Sequence, residues 1–313
     1  MPRIERLAGD LVLIDTEYID TPEAIGVYLL LGERPALIET GPASTVETLL
    51  DGVRAAGLDP KDLRTIAVTH IHLDHAGAAG TLVRRFPHLD VYVHPLGAPH
   101  LIDPSRLLAS AGRLYGSEMD RLFGQVLPVP ADRVHILEDG ARVLLGSRRL
   151  TALDTPGHAR HHLAFHDETT GDLFTGDAAG VALPGTRYVR PPTPPPEIDI
   201  AAWDATIARL RRLRAQRLLL THFGAHAWGD DLLVQLQERL HRFAEIVRAA
   251  VGAGESEDAI IERLRAVAGA EGERIMGPEQ ADRFEVIMAM RLSALGLVRY
   301  VKAKRPRVEQ PGN

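Results

Sequence analysis

Between positions 70 and 75 the chain carries His70, His72, Asp74 and His75, in the run Thr69-His70-Ile71-His72-Leu73-Asp74-His75, straight after the apolar stretch Thr65 to Val68. Ligand-type side chains packed this densely would cost several kcal/mol if buried without partners, and a divalent cation removes that conflict. His70 and His72, two apart, face the same way on extended chain. Asp74 and His75, at a strand end, can turn towards a neighbouring point. One segment can therefore serve two metal positions.

Each metal needs three or four protein groups and an open position for water, so further ligands must follow. Three candidates do: His158 after the Pro156-Gly157 turn, Asp177 in Phe174-Thr175-Gly176-Asp177, and His222 after Leu218 to Thr221. There is no cysteine. Disulfides, thiolate ligands and a Cys nucleophile are thereby excluded, and ligation falls to His, Asp and Glu.

Those positions require strands to carry them. Short strands are expected at Leu11 to Ile14, Gly26 to Leu31, Ala36 to Glu39, Thr65 to Val68 and Val91 to Val93, with helices over 44–56 and 76–86 between them. The block Ala98 to Phe123 reads as helical and placed to cover the site. A second β series follows at Val134 to Leu137, Ala141 to Leu145, Leu150 to Asp154, Leu163 to His166 and Leu173 to Thr175. The segment Pro184 to Asp199 has six prolines, Pro184, Pro191, Pro192, Pro194, Pro195 and Pro196, and must be a stiff extended loop. A helix over 201–213 and a strand Arg217 to Leu220 close this part. Beyond it, 231–251, 257–268 and 278–301 have apolar residues at helical spacing, Ser256 is placed as an N-cap and Pro278 suits a first turn. This divides the chain into a catalytic part, 1–228, and a helical extension, 229–313, with a frayed tail from Lys302.

At 313 residues and 45% hydrophobic content the chain can bury a large core. Its net charge of −6, without a basic run, speaks against nucleic acid as a partner. No apolar window of membrane-spanning length and no export signal is visible, so no membrane association and a cytoplasmic location are expected.

The His-X-His-X-Asp-His run, the later Gly157-His158, the strand-end Gly176-Asp177 and Thr221-His222 together resemble the metallo-β-lactamase superfamily over about residues 10–226. The resemblance implies an α/β fold, an αββα sandwich with two metals along one edge. It assigns His70, His72 and His158 to the first metal, Asp74, His75 and His222 to the second, and Asp177 to both. Glu39-Thr40-Gly41 matches a further segment in which the family usually has Asp at the place of Glu39, with a role in supporting the loops near the site.

A small-molecule hydrolase similar to the glyoxalase II-like members follows. Two divalent ions, zinc first with manganese or iron as alternatives, would share a hydroxide that cleaves an ester, thioester or lactone, with Asp74 as the catalytic residue that also orients the attacking water. The β-lactamases usually lack the bridging Asp, flavodiiron reductases usually have Glu where this chain has His72, and the RNA-processing branches add domains that are not evident. The alternative is a mononuclear iron oxidoreductase like the persulfide dioxygenases, using His70, His158 and Asp177.

Substrate contacts are expected from Arg187, Tyr188 and Arg190 on the proline-rich loop, since Arg suits carboxylates and phosphates, and from His226, four residues after His222. His161 and His162, close to His158, are candidates for orienting ligands or substrate. The apolar stripe Phe284, Ile287, Met288, Leu292 and Leu295 reads as core or as a homodimer contact.

Overall fold

The computed structural model describes residues 2–304. Two sheets lie at its centre. The first runs in chain order β1 (Ile4–Ala8), β2 (Leu11–Asp15), β3 (Gly26–Leu30), β4 (Ala36–Ile38), β5 (Thr65–Ala67), β6 (Asp90–Val93) and β7 (Val134–Ile136). It is antiparallel from β1 to β4 and parallel from β4 to β7. The second contains β8 (Arg142–Leu145), β9 (Arg148–Asp154), β10 (Leu163–Asp167), β11 (Leu173–Gly176), β12 (Arg217–Leu220) and β13 (Gly224–Ala227), in the spatial order β13, β12, β11, β10, β9, β8. Only β11 and β12 pair in parallel there.

Period-2 alternation sorts the side chains of this sandwich. Leu11, Leu13, Tyr28 and Leu30 point inward against Leu150, Phe165, Phe174 and Leu219. Val12, Ile14, Val27 and Leu29 point outward, beneath α1 (Val46–Ala55) and α3 (Ala79–Arg85). Because both faces are covered, β2 is buried at all its positions and is apolar from Leu11 to Ile14 without alternation. The Tyr28 hydroxyl crosses between sheets and donates to the Leu220 carbonyl at 2.8 Å.

The expected helix over 76–86 is two pieces, α2 (Leu73–Ala76) and α3, and the block 98–123 is α4 (Ala98–Ile102), α5 (Ser105–Tyr115) and α6 (Met119–Phe123). The outer face of the second sheet is covered by α7 (Ile200–Leu213), α8 (Asp230–Gly252), α9 (Glu257–Met276) and α11 (Met290–Lys304) in one continuous apolar cluster. Ser256 caps α9, its hydroxyl accepting from the Ala259 amide at 3.2 Å.

The stretch expected as one helix over 278–301 is broken. α10 (Pro278–Ile287) stops before α11, since the Met288 carbonyl turns to the buried Arg190 guanidinium and the Met290 amide donates to Glu285 at 2.8 Å. Two edge strands, β1 and β13, escape the periodicity reading because β1 is half-exposed and carries charges and β13 is built of Gly, Ala and His. Lys302 to Lys304 continue α11, and 305–313 lie outside the described residues. Among those described, no helix is long and apolar enough to cross a membrane.

The strand directions decide where chemistry can gather. β9, β11 and β12 point one way in the second sheet and β4 and β5 run together in the first, so the loops after them meet along one edge.

Candidate metal centre

All seven residues of the sequence-derived ligand set converge at that edge. His70 follows β5, His72 caps α2, Asp74 and His75 lie in α2, His158 follows β9, Asp177 follows β11 and His222 follows β12. Their potential ligand atoms form two groups, His70 with His72 and His158, and Asp74 with His75 and His222. The Asp177 carboxylate stands between them. One oxygen is 3.2 Å from His158 Nε2, and the other is 3.3 Å from His75 Nε2 and 3.5 Å from His222 Nε2. That second oxygen, Oδ1, is buried without a hydrogen-bond partner.

The outer ring nitrogens settle which atoms face inward. His158 Nδ1 is 2.8 Å from the Pro192 carbonyl and His222 Nδ1 is 2.7 Å from the Ala24 carbonyl; as carbonyls only accept, both Nδ1 atoms carry the proton. His75 Nδ1 likewise donates to Glu39 at 3.0 Å. The lone pairs at Nε2 are left to the site. His72 Nδ1 lies 2.9 Å from both His70 Nε2 and His158 Nε2, and His75 Nε2 lies 3.3 Å from His222 Nε2. Opposed lone pairs at these distances repel unless a proton or cation lies among them. Neutral imidazoles with outer nitrogens tied to acceptors are the donor set that divalent transition metals take.

Glu39 falls into a third group with His70 and His75, yet its oxygens are already engaged. Oε1 accepts from the hydroxyls of Thr69 and Thr221 as well as from His75, and Oε2 accepts from the Thr69 amide at 3.1 Å. It is a brace for the ligands, held with φ at +71°, a region that costs a non-glycine residue about 1 kcal/mol or more. Changing Glu39 to Gln is expected to lower cation affinity at the Asp74–His75–His222 group by about 10–100-fold, the usual cost of losing such a brace. Competition with a chromophoric chelator measures this, and unchanged affinity would deny Glu39 its role.

His162 acts behind Asp177. Its Nε2 accepts from the Asp177 amide at 3.1 Å while Nδ1 meets the Thr155 hydroxyl at 2.7 Å, a neutral tautomer that burial enforces. Gly176 has φ +48°, and a Cβ there would lie 2.4 Å from Thr69 Oγ1, so the turn into Asp177 needs glycine. Trp203 packs edge-on to the His158 ring at 5.9 Å and donates to the Ala178 carbonyl at 2.9 Å.

Electrostatics divide the two groups. Burial pushes His70, His72 and His158 below the ordinary imidazole value, so they are neutral and ready to ligate. Burial also opposes charge on His75 and His222, but Asp177 and Asp74, with Glu39 at His75, outweigh it and hold both above that value. Burial disfavours the Asp74 and Asp177 anions, yet the neighbouring histidines overcome it and hold both carboxyls below the usual range. Without a cation, His75 and His222 therefore keep protons that an incoming ion must displace. Lowering the pH from about 8 to about 6, across the histidine range, is expected to empty the Asp74–His75–His222 group before the other. Metal content per chain after dialysis at each pH checks this, and simultaneous loss from both would contradict it.

A cavity of about 410 Å³ opens from this centre, with Asp74, His158, Asp177 and His222 at its inner end. The block 98–123 does cover the site, through Leu107, Leu114, Tyr115 and Leu122. The proline-rich loop also reaches it, but by other residues than expected. Arg190 and Tyr188 are buried against the C-terminal helices: Arg190 pairs with Glu285 at 3.3 Å over the Phe284 ring, and the Tyr188 hydroxyl donates to the Ala268 carbonyl at 3.2 Å under Arg239. Arg187 is exposed, and His226 turns back to the Phe223 carbonyl at 3.1 Å. None of these four lines the cavity; Pro192, Pro194, Pro195, Pro196 and Glu197 do. Phe284 is core, whereas Ile287, Met288 and Leu292 line the cavity.

The residues that sequence reasoning missed are Tyr18 and Tyr115. Both face the cavity, and burial followed by the Asp74 charge raises both phenols far above their ordinary value. Tyr18 sits in a loop with positive φ at Glu17, Ile19, Asp20 and Glu23. Asp15 holds that loop by accepting from the Glu17 and Glu23 amides, and Arg283 of α10 clasps Pro22 and Glu23 from outside. Nothing in residue type announces such a loop.

Residues 20–226 match the family described as the metallo-beta-lactamase superfamily. The chain is 29% identical over 210 residues to the metallo-beta-lactamase fold-containing protein ST1585 of Sulfurisphaera tokodaii, covering 66% of this chain and 75% of that one. It is 35% identical over 115 residues to a hydroxyacylglutathione hydrolase of Thermosynechococcus vestitus, which is 37% of this chain and 34% of the hydrolase, so only about a third of that enzyme is spanned. The crystal structure of the metallo-beta-lactamase family protein TTHA1429 from Thermus thermophilus superposes over 95% of both chains with a TM-score of 0.72 at 23% identity. That likeness concerns the fold, and at such coverage it takes in the C-terminal helices.

Proposed function

The chain belongs to the metallo-β-lactamase superfamily, and within it we propose that it is a hydrolase of a small thioester, ester or lactone that works with two divalent cations, zinc ahead of manganese or iron. The observation that carries this reading is the buried Asp177 carboxylate set between two groups of inward-facing imidazoles. His70, His72 and His158 would hold one ion, Asp74, His75 and His222 the other, and Asp177 both. When bound, the ions supply Lewis acidity and bring the pKa of water towards neutrality. The thioester choice is supported by the related enzyme whose name states hydroxyacylglutathione as its substrate.

The chain's own groups do the rest. Asp74 is partly exposed to the cavity, at 32% of its side chain, whereas His75 is closed off and Asp177 is reached over only 5% of its side chain. Its lowered pKa makes it a weak proton acceptor, so it serves to align an attacking water. Tyr18 and Tyr115, whose phenols stay protonated throughout the physiological range, are donors suited to a carbonyl or leaving-group oxygen. The apolar cover from α5 and α6 limits bulk water.

The test is Asp74→Ala against a panel of thioesters, esters and lactones. Turnover is expected to fall by about 100-fold or more, on the scale of losing one preorganised catalytic group, while the melting temperature stays near that of the parent. Full activity in the variant would remove Asp74 from catalysis. One iron per chain together with oxygen consumption on a persulfide would replace the hydrolase reading by the mononuclear oxidoreductase.

A further inference from the structure

The cavity beyond the metal centre has a wall chemistry of its own. Its apolar members come from separate parts of the chain, among them Ile19 from the positive-φ loop, Leu107, Leu114 and Leu122 from α5 and α6, and Val286 and Ile287 from α10, beside the prolines already described. Most of that wall is apolar; apart from Asp74, His158, Asp177 and His222 its polar members include His100, Arg106, Ser110, Glu197 and Ser293. Leu114 and Val286 are 36% and 57% exposed. Exposed apolar residues are ordinarily scattered, yet these two belong to different elements and line the same cavity. Its volume of about 410 Å³ lies within the roughly 300–1,000 Å³ of small-ligand sites. A hydrocarbon group that settles against this wall gains because apolar surface on both is removed from water.

We propose that the substrate carries an extended apolar chain beside its scissile bond, and that the cavity lined by Ile19, Leu107, Leu114, Leu122, Val286 and Ile287 receives that chain. This rests on the hydrolase reading, since the bond must lie at the metal end. The chain can belong to the acyl side or to the thiol side. Both place the same hydrocarbon in the same space.

The experiment uses the protein as purified and two thioester series. One varies the acyl group (acetyl, butanoyl, octanoyl) on N-acetylcysteamine, and the other varies the thiol (methane-, butane-, octanethiol) on acetate. A buried methylene is worth about fourfold, so kcat/KM is expected to rise at least about tenfold from the shortest to the longest member of one series. The series that rises identifies the side. In Leu114→Gln and Val286→Gln, at positions exposed enough to accept a polar side chain, the long-to-short ratio is expected to drop by several fold. Calorimetry with octyl and methyl thioethers of N-acetylcysteamine, which cannot be hydrolysed, reads the same preference without turnover. Hydrolysis without chain-length preference in either series would overturn this proposal and leave the hydrolase reading standing. Tenfold tighter binding of the octyl thioether with no turnover of thioesters, esters or lactones would support the apolar subsite while removing the hydrolase reading.

Discussion

Asp177→Asn is expected to reduce the metal content to one ion per chain or fewer and to lower turnover by at least about 10³-fold, beyond the 10–100-fold of changes behind the ligands. Asp177 has one carboxylate oxygen towards His158 and the other towards His75 and His222. An amide keeps the shape but loses the charge that holds His75 and His222 above the ordinary imidazole value. It also offers a donor where Oδ1 now has no partner. Elemental analysis, turnover and thermal melting on the same preparation separate loss of metal from loss of fold. A variant that retains two ions and full turnover would reject the bridging assignment.

The second large effect concerns the helices after Gly229. The chain cut after residue 229 is expected to be recovered only as aggregate. It would expose Trp203, Ile207 and Leu210 of α7 and Leu218 of β12, which now share one buried cluster with Leu233, Leu236, Leu240 and Phe243 of α8. A gentler version is Phe243→Ala, which should cost about 3–5 kcal/mol against a total of about 5–15 kcal/mol. Gel filtration of the truncated chain and chemical denaturation of the point variant test the two. A soluble, cooperatively melting fragment 1–229 would make the helices an independent appendage.

Residue type and spacing carried different parts of this structure. The ligand set was legible because His and Asp at strand ends, in such density, have few uses apart from a cation. The C-terminal helices were legible from their apolar period, but the break at Met288 was not, as it depends on a distant guanidinium reaching a carbonyl. The same contact draws Arg190 away from the cavity, against the expectation of a substrate contact. A buried Arg stacked on Phe284 and paired with Glu285 looks, in sequence, like any Arg on a loop near a site. Tyr18 was hidden for a further reason: its placement comes from positive φ at Glu17, Ile19, Asp20 and Glu23, residues that ordinarily avoid that region.

The side chain at position 39 bears on how far apart the two cation positions stand. Glu39 follows β4 in the first sheet, and its carboxylate holds Thr69 and His75 of that sheet's next loop together with Thr221, which follows β12 in the second. The two ligand groups likewise draw on both sheets. Sliding one sheet past the other by a fraction of an ångström would change the gap across Asp177 directly, and Glu39, together with the Tyr28–Leu220 bond, resists the slide. The separation on which the proposed two-metal chemistry would depend is thus an alignment between layers of the sandwich, and a change in the packing between the sheets, far from any ligand, would detune it.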